Sequence, residues 1–150
     1  MQLHVICICF SMNNNIDRTG SVCIIDDDKI HHFTIVKTMQ LQGLSKNLLS
    51  FHDGSEAITF FNQNLDNASI LPDVIFLDLN MPVVNGWQFL QQYALFKSRI
   101  KKDIKIYVVS SSINKSEISR AVAIEEVSGY LEKPLRPEEI RQVFLSNNIN

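Results

Sequence analysis

Four short runs of apolar residues, rich in β-branched side chains, constrain the fold of this chain more than any other feature. They lie at residues 22–25, 74–77, 104–109 and 130–131, and a weaker fifth run lies at 47–51. Because each run is apolar on both faces of a strand, each needs cover on both sides, which parallel sheets obtain from helices. The runs therefore predict a parallel sheet packed between two layers of helices.

The segments that separate these runs place apolar residues at helical spacing. The last segment begins with Pro137, followed by Glu138 and Glu139, which matches the preferences of a helix N-terminus. Five strands that alternate with five helices indicate an α/β fold, (βα)5, with the sheet as the middle of three layers. The apolar residues that mark the five helices, in chain order, are Ile30, Phe33, Val36 and Met39; Ile58, Phe61 and Leu65; Trp87, Leu90 and Ala94; Ile118, Ala121 and Val122; and Ile140, Val143 and Phe144.

The composition fits one domain and excludes several classes of partner. The chain has 150 residues, 45% of them hydrophobic, and 14 Lys or Arg against 16 Asp or Glu give a formal net charge of −2. Such a balance lacks the basic surface that binds nucleic acid or an anionic membrane. Cys7, Cys9 and Cys23 form no CxxC pair, and their odd number indicates free thiols in a reducing compartment, so we expect a cytoplasmic protein.

The two ends of the chain are expected to be additions to a domain at residues 21–146. Residues 1–20 are predicted to form a flexible N-terminal extension, whose apolar stretch is far shorter than the roughly 20 residues of a membrane span. Met12 opens a polar run, and we expect residues 1–11 to be dispensable for folding. Residues 147–150 are predicted to form a short polar tail.

Polar residues follow four of the predicted strands directly. Because the carboxyl ends of parallel strands share one edge of a sheet, where such folds bind ligands, these residues are expected to converge. Carboxylates that share a pocket repel one another and need a cation, and oxygen ligands without His or Cys suit Mg²⁺. A lysine and a hydroxyl beside them would hold a phosphoryl group next to a carboxylate able to accept it. The residues are Asp26, Asp27 and Asp28 after the first strand, Asp78 after the third, Ser110, Ser111 and Ser112 after the fourth, and Lys133 after the fifth.

Four motifs in the same order make the chain resemble the receiver domain of two-component response regulators over residues 21–146. The resemblance implies the flavodoxin-like doubly wound fold with strand order 2-1-3-4-5, in which the first and third strands are neighbours. The matching motifs are Ile24-Ile25-Asp26-Asp27-Asp28, Phe76-Leu77-Asp78-Leu79-Asn80-Met81-Pro82 with Asn85-Gly86, Ser110-Ser111-Ser112, and Gly129-Tyr130-Leu131-Glu132-Lys133-Pro134.

The resemblance implies roles for particular residues. Asp78 would be the phosphoacceptor, and Lys133 would pair with the phosphoryl oxygens and precede a cis peptide bond to Pro134. Tyr130 would be an aromatic switch, coupled to a hydroxyl at the end of the fourth strand. The expected Mg²⁺ ligands are Asp27 and Asp78 directly, Asp26 mainly through water, and the backbone carbonyl of Asn80.

The hydroxyl of that switch has two candidates. The apolar run that ends at Val109 selects Ser110, whereas the family's usual spacing back from Lys133 selects Ser111. We favour Ser110, because an additional residue fits easily into the loop at 124–127.

Two further features have simpler interpretations. His31 and His32 are expected to be polar residues on the exposed first turn of a helix, because no third soft ligand is nearby in the sequence to complete a metal site. Trp87, at the start of the third predicted helix, is expected to lie in the core.

The function that the resemblance implies is that of a stand-alone response regulator. It would accept a phosphoryl group from a histidine kinase or a histidine phosphotransfer protein. It would then signal to a downstream target protein through the face built from helix 4, strand 5 and helix 5, with at most weak homodimerisation. It would catalyse its own phosphorylation and dephosphorylation without being an enzyme that turns over a substrate. The alternatives are a phosphorylation-independent interaction module of the same fold and, less favoured, a flavodoxin-like cofactor binder or a phosphohydrolase.

Overall fold

Five strands alternate with five helices in the part of the chain that the structure describes, as the apolar runs predict. The computed structural model describes residues 20–147 and 149. The strands are β1 (Gly20–Ile25), β2 (Ser45–Phe51), β3 (Val74–Asp78), β4 (Lys105–Ser110) and β5 (Val127–Glu132). The helices are α1 (Lys29–Gln42), α2 (Gly54–Asn64), α3 (Gly86–Phe96), α4 (Lys115–Val122) and α5 (Pro137–Ser146), and a 3₁₀ turn (Lys97–Arg99) follows α3.

The strands form a single parallel sheet in the order β2-β1-β3-β4-β5. This confirms the flavodoxin-like doubly wound (βα)5 fold and the predicted strand order. The strand order reverses between β1 and β3, which pair from Val22 with Val74 to Ile25 with Leu77. The carboxyl ends of these two neighbouring strands therefore open into one crevice, the place where such sheets bind ligands.

Alternate residues of the central strands pack into two separate cores. On β1, Cys23 and Ile25 face the core covered by α2 and α3, whereas Val22 and Ile24 face the core covered by α1 and α5. All five residues of β3 are buried. The two cores explain why these runs are apolar at every position, since neither face of the central strands contacts water.

Aromatic rings hold α2 against α3. The ring of Phe61 lies 6.0 Å from the rings of Phe89, Tyr93 and Phe96, measured between centroids. Aromatic contacts at this distance add to the stabilisation from burying the rings. This cluster fixes α3, which begins directly beside the carboxyl end of β3.

The face that α1 turns toward the sheet differs from the spacing predicted for it. Ile30 is 80% exposed and Phe33 is 61% exposed, so these two predicted markers of the buried face point to solvent. The residues that α1 buries are His31, Ile35, Thr38 and Met39. Helix α1 carries apolar residues on both faces, and its apolar spacing therefore does not identify the side that packs.

Side chains at the carboxyl edge of the sheet cap four of the helices. Asp28, Asp53, Asn85 and Asn114 precede α1, α2, α3 and α4, and each accepts hydrogen bonds from backbone N–H groups of its helix. Such residues satisfy donors that have no partner inside a helix. The caps fix the helix N-termini around the crevice.

The predicted N-terminal extension lies almost entirely outside the described residues, which begin with β1 at Gly20. The predicted tail contacts the domain: the Asn147 side chain donates to the Tyr107 hydroxyl at 2.7 Å, and Ile149 packs against the core beside α5. No helix in the described part of the chain is long and apolar enough to cross a bilayer.

Candidate functional site

Three carboxylates meet where β1 and β3 end. One oxygen each from Asp26, Asp27 and Asp78 lies within 4.8 Å of the others. Asp26 and Asp78 are buried, at 2% and 5% exposure, while Asp27 is exposed at the rim. The structure thus brings together the three acidic residues that the sequence predicts to converge, in a geometry able to hold a cation.

Both oxygens of the Asp26 carboxylate have hydrogen-bond donors. Oδ1 accepts from the backbone N–H of Asp28 at 2.8 Å. Oδ2 lies 2.5 Å from Nδ1 of His31 and 2.8 Å from Nζ of Lys133. Burial raises the pKa of Asp26, but the bonds from His31, Lys133 and Asp28 outweigh it and leave the pKa below its ordinary value.

Lys133 reaches the site from the end of β5. Its backbone N–H donates to the carbonyl of Ser110 at 2.9 Å, and the Lys133–Pro134 peptide bond is cis, as the resemblance implies. Its Nζ lies 2.8 Å from Asp26 Oδ2 and 3.4 Å from Asp78 Oδ2. Burial lowers the pKa of Lys133, but these two carboxylates more than compensate and raise it, so the side chain remains a cation.

Asp78 is less well paired than Asp26. Its Oδ1 accepts from the backbone N–H of Asn80 at 3.2 Å, and its Oδ2 faces Lys133 at the longer of the two lysine distances. Burial, together with the nearby negative charge of Asp26, raises the pKa of Asp78 to about 6 against the attraction of Lys133.

Gly86 allows α3 to begin directly against Asp78. A Cβ at this position would lie 2.3 Å from the Asp78 carbonyl oxygen, a contact that no side chain tolerates. The Gly86 N–H donates to the carbonyl of Leu79 at 3.0 Å. The glycine in the Asn85-Gly86 motif thus serves close packing beside the acidic pocket.

The serine turn and Tyr130 lie beside one another at the ends of β4 and β5. Ser110 is fully buried and its Oγ accepts from the N–H of Ser112 at 3.2 Å, whereas Ser111 is exposed. The hydroxyl of half-buried Tyr130 donates to the carbonyl of Ser112 at 2.8 Å. The register between β4 and β5 shifts between Ile106, which pairs with Val127, and Tyr107, which pairs with Gly129, next to the loop at 124–127 that is predicted to hold an additional residue.

Two sequence interpretations are wrong. His31 is not on an exposed turn: it is 7% exposed and contacts Asp26, because the side of α1 on which it lies faces the pocket. His32 is half-buried and bonds to Ser50 on β2. The only sequence signal for His31 was its position in the helix turn directly after the acidic strand end.

Trp87 is half-buried rather than a full core residue. The guanidinium carbon of Arg120, on α4, lies 4.1 Å from the centroid of its ring. A cation over an aromatic face is an attractive contact. Trp87 therefore joins the start of α3 to α4.

The fold and site together define a doubly wound α/β domain with an acidic, lysine-bearing pocket at its switch point. The chain belongs to the family of response regulator receiver domains, whose family model matches residues 22–145. This confirms the resemblance inferred from the four motifs.

Known proteins similar to the chain agree with this family. A curated relative, the probable methanogenesis regulatory protein FilR2 of Methanothrix harundinacea, is 25% identical over 81% of this chain and 76% of its own length. Three further curated relatives match over only 45%, 29% and 43% of their lengths, so the chain spans less than half of these proteins.

Solved structures show the same fold. A two-component response regulator from Cytophaga hutchinsonii superposes with a TM-score of 0.79, is 27% identical, and covers 89% of this chain and 100% of its own. A chain of the CheX–CheY–BeF3–Mg²⁺ complex from Borrelia burgdorferi is also similar, with a TM-score of 0.70 and 18% identity over 87% of this chain and 90% of the matched chain.

Proposed function

We propose that this receiver domain accepts a phosphoryl group onto Asp78 from the phosphohistidine of a histidine kinase or histidine phosphotransfer protein. The observation that carries the proposal is the convergence of Asp26, Asp27 and Asp78 with Lys133 in one pocket. The carboxylate of Asp78 would be the nucleophile, and the ammonium group of Lys133 lies beside it.

The proposed step transfers one phosphoryl group between two proteins. An oxygen of Asp78 forms a bond to phosphorus while the P–N bond of the phosphohistidine breaks. The electron pair of that bond stays on the imidazole nitrogen, which then takes up a proton from water. With a pKa of about 6, Asp78 is ionised at neutral pH and can act as the nucleophile. Lys133 would pair with the phosphoryl oxygens as negative charge moves onto them.

The pocket suits Mg²⁺, because all three acidic side chains offer hard oxygen ligands. We propose that Asp27 and Asp78 bind it directly, that Asp26 acts mainly through water, and that the carbonyl of Asn80 completes the protein ligands. When bound, Mg²⁺ would neutralise charge between the carboxylates and the phosphoryl oxygens. The Borrelia CheY complex contains Mg²⁺ together with BeF3.

The response would pass from the pocket to a partner surface at α4, β5 and α5. Ser110 is the proposed hydroxyl, since it is buried at the strand end while Ser111 faces solvent. Its movement toward the phosphoryl group would disturb the turn at Ser112, whose carbonyl holds the Tyr130 hydroxyl. Ile113 beside α4 and Val122 on α4 are 73% and 50% exposed, and this apolar surface supports a downstream protein target on this face.

The proposal also covers the cellular compartment of the protein, the reactions it catalyses on itself and its partners. The protein would act as a stand-alone regulator in the cytoplasm, where the buried thiol of Cys23 stays reduced. It would catalyse its own phosphorylation and hydrolysis without turnover of a separate substrate. Neither nucleic acid nor a membrane is a proposed partner, and any homodimer would be weak.

Intact-protein mass spectrometry after incubation with acetyl phosphate tests the proposal. We expect one added phosphoryl group on the wild-type protein with Mg²⁺, and none without Mg²⁺ or on Asp78→Asn. Asp53→Asn is the matched control, because Asp53 also follows a strand at this sheet edge but caps α2, a role that asparagine also fills.

Some receivers accept the group only from a kinase, so a second probe accompanies the first. Beryllofluoride with Mg²⁺ is expected to change the fluorescence of Trp87, the single tryptophan of the chain. Absence of both the adduct and the fluorescence change would overturn the proposal and favour the phosphorylation-independent module.

A further inference from the structure

The start of α1 presents two adjacent histidines with different surroundings. His32 is half-buried and faces Ser50 on β2. His31 is 7% exposed, and its Nδ1 lies 2.5 Å from Oδ2 of Asp26. The other ring nitrogen of His31, Nε2, is buried with no hydrogen-bond partner among the described residues. The polar function of His31 in this fold is therefore a single bond, made to Asp26.

The direction of that bond follows from its acceptor. An ionised carboxylate only accepts hydrogen bonds, so Nδ1 of His31 carries the proton and donates it to Asp26. The same Asp26 oxygen also holds Lys133, at 2.8 Å, whereas Asp78 lies 3.4 Å from the lysine. In this structure, Lys133 is thus closer to Asp26 than to the carboxylate that would take the phosphoryl group.

Transfer of a phosphoryl group to Asp78 would change the hydrogen-bond partners of Asp26. When Lys133 turns toward the phosphoryl oxygens, Oδ2 of Asp26 loses its cation, and a buried carboxylate oxygen without a donor is costly. His31 lies on the α1 side of this oxygen, on a different element from the lysine, so its bond does not depend on where Lys133 points.

We propose that His31 is a positioning residue, which holds Asp26 in place and keeps it hydrogen-bonded while Lys133 moves to the phosphoryl group. The inference rests on the proposed function and adds to it a residue outside the acidic and lysine set. His31 acts through Asp26 and has no contact with the phosphoryl group. This bond lowers the free energy needed to move Lys133 away from Asp26. Because the lysine moves as the phosphoryl group is transferred, the bond lowers the activation free energy of the transfer.

Three substitutions separate the hydrogen bond from the volume of the ring. Asparagine places its side-chain N–H close to the position of Nδ1, so His31→Asn keeps the donor. Leucine fills much of the same space without a donor, and glutamine places its N–H near the position of Nε2. His32→Leu is the matched control, since it removes the neighbouring histidine, which contacts β2 instead of the pocket.

The first measurement is the rate of phosphoryl incorporation from acetyl phosphate at saturating Mg²⁺. We expect His31→Leu and His31→Gln to lower the limiting rate about tenfold with little change in the half-saturating donor concentration. We expect the limiting rate of His31→Asn to remain within roughly threefold of the wild-type rate. The rate of the control, His32→Leu, is expected to equal that of wild type. If His31 acts only through packing, the rate should instead fall equally in His31→Asn and His31→Leu, and this result would overturn the proposal.

The second measurement needs neither Mg²⁺ nor a phosphodonor. Long-range ¹H–¹⁵N spectra of the histidine rings are expected to show the His31 proton on Nδ1, and a proton only on Nε2 would overturn the proposal. If the wild-type protein takes up no phosphoryl group and shows no response to beryllofluoride, the proposed function fails. If it does take one up and His31→Leu retains the full rate, only the role of His31 fails.

Discussion

Asp26 and Asp78 are almost equally buried in one pocket, yet their hydrogen bonding differs. Asp26 receives bonds from a backbone N–H, a histidine and a lysine, and its pKa is lowered. Asp78 has one backbone donor and a more distant lysine, and its pKa is raised. The residue with the fewer partners is the one proposed to react, so the surrounding bonds leave an oxygen of Asp78 accessible to chemistry.

The raised pKa of Asp78 predicts that removing its charge stabilises the metal-free protein. The pKa rises from 3.8 to about 6 on folding, so the stability that the protonated group provides at low pH is lost as the pH rises through this range. Asp78→Asn is therefore expected to raise the free energy of unfolding at pH 7.5 by roughly 3 kcal/mol.

Chemical denaturation of both proteins at pH 7.5 and pH 4.5, in a chelator, measures this effect. We expect the advantage of Asp78→Asn to shrink to less than half at the lower pH, where the wild-type carboxyl is protonated in the folded state. An advantage of the same size at both pH values would contradict the assigned cause.

Most residues of the pocket could be predicted from the sequence, but His31 could not. Asp26, Asp27, Asp78 and Lys133 each lie at the carboxyl end of a strand of a parallel sheet, so the strand pattern alone predicts that they converge. His31 lies one helical turn beyond a strand end, and only the rotation of α1 about its axis turns it inward. Nothing in the local pattern fixes that rotation.

At the scale of elements, α4 is held less firmly than the other helices. Ala121 is its one buried residue, and Arg120 lies over the ring of Trp87 on α3. A helix with so little apolar burial can shift at small cost, which suits an element proposed to respond to the pocket.

Arg120→Ala is expected to loosen α4 from α3 and to change the emission of Trp87. The loss of unfolding free energy should be about 1 kcal/mol or less, because the contact is at the surface. Fluorescence reports this contact specifically, since the chain has one tryptophan. Arg141→Ala, on the exposed side of α5, is the control, and an unchanged spectrum for Arg120→Ala would show that the stacking does not persist in solution.

The helices also differ in how well their packing could be predicted. In α5, the predicted markers Ile140, Val143 and Phe144 are all buried, because the opposite face of that helix is mostly polar and carries Glu138, Arg141 and Gln142. In α1, Ile30 and Phe33 have the right spacing and still face solvent. Apolar spacing predicts a helix in both cases, but it predicts the buried face only where the opposite face is polar.

At the scale of the whole molecule, the described residues contain the entire predicted sheet and both cores that cover it. Deletion of residues 1–11 is therefore expected to leave the melting temperature nearly unchanged, as the sequence predicts. Thermal unfolding of the truncated and full chains by circular dichroism makes the comparison. A fall of many degrees would show that these residues contribute to the stability of the fold.

The acidic pocket links cation binding to the stability of the whole fold. Three carboxylates meet beside a single lysine, so a cation that binds the folded protein relieves their repulsion and stabilises it. At a free Mg²⁺ concentration tenfold above the dissociation constant, the free energy of unfolding is expected to rise by about 1.4 kcal/mol.

Differential scanning calorimetry of wild type, Asp27→Asn and Asp53→Asn measures this effect. A control in NaCl at matched ionic strength separates binding at the site from general screening by salt. Mg²⁺ should raise the melting temperature of wild type and Asp53→Asn but have little effect on Asp27→Asn, because Asp27, unlike Asp53, contributes an oxygen to the pocket. An equal rise in all three would place the cation elsewhere.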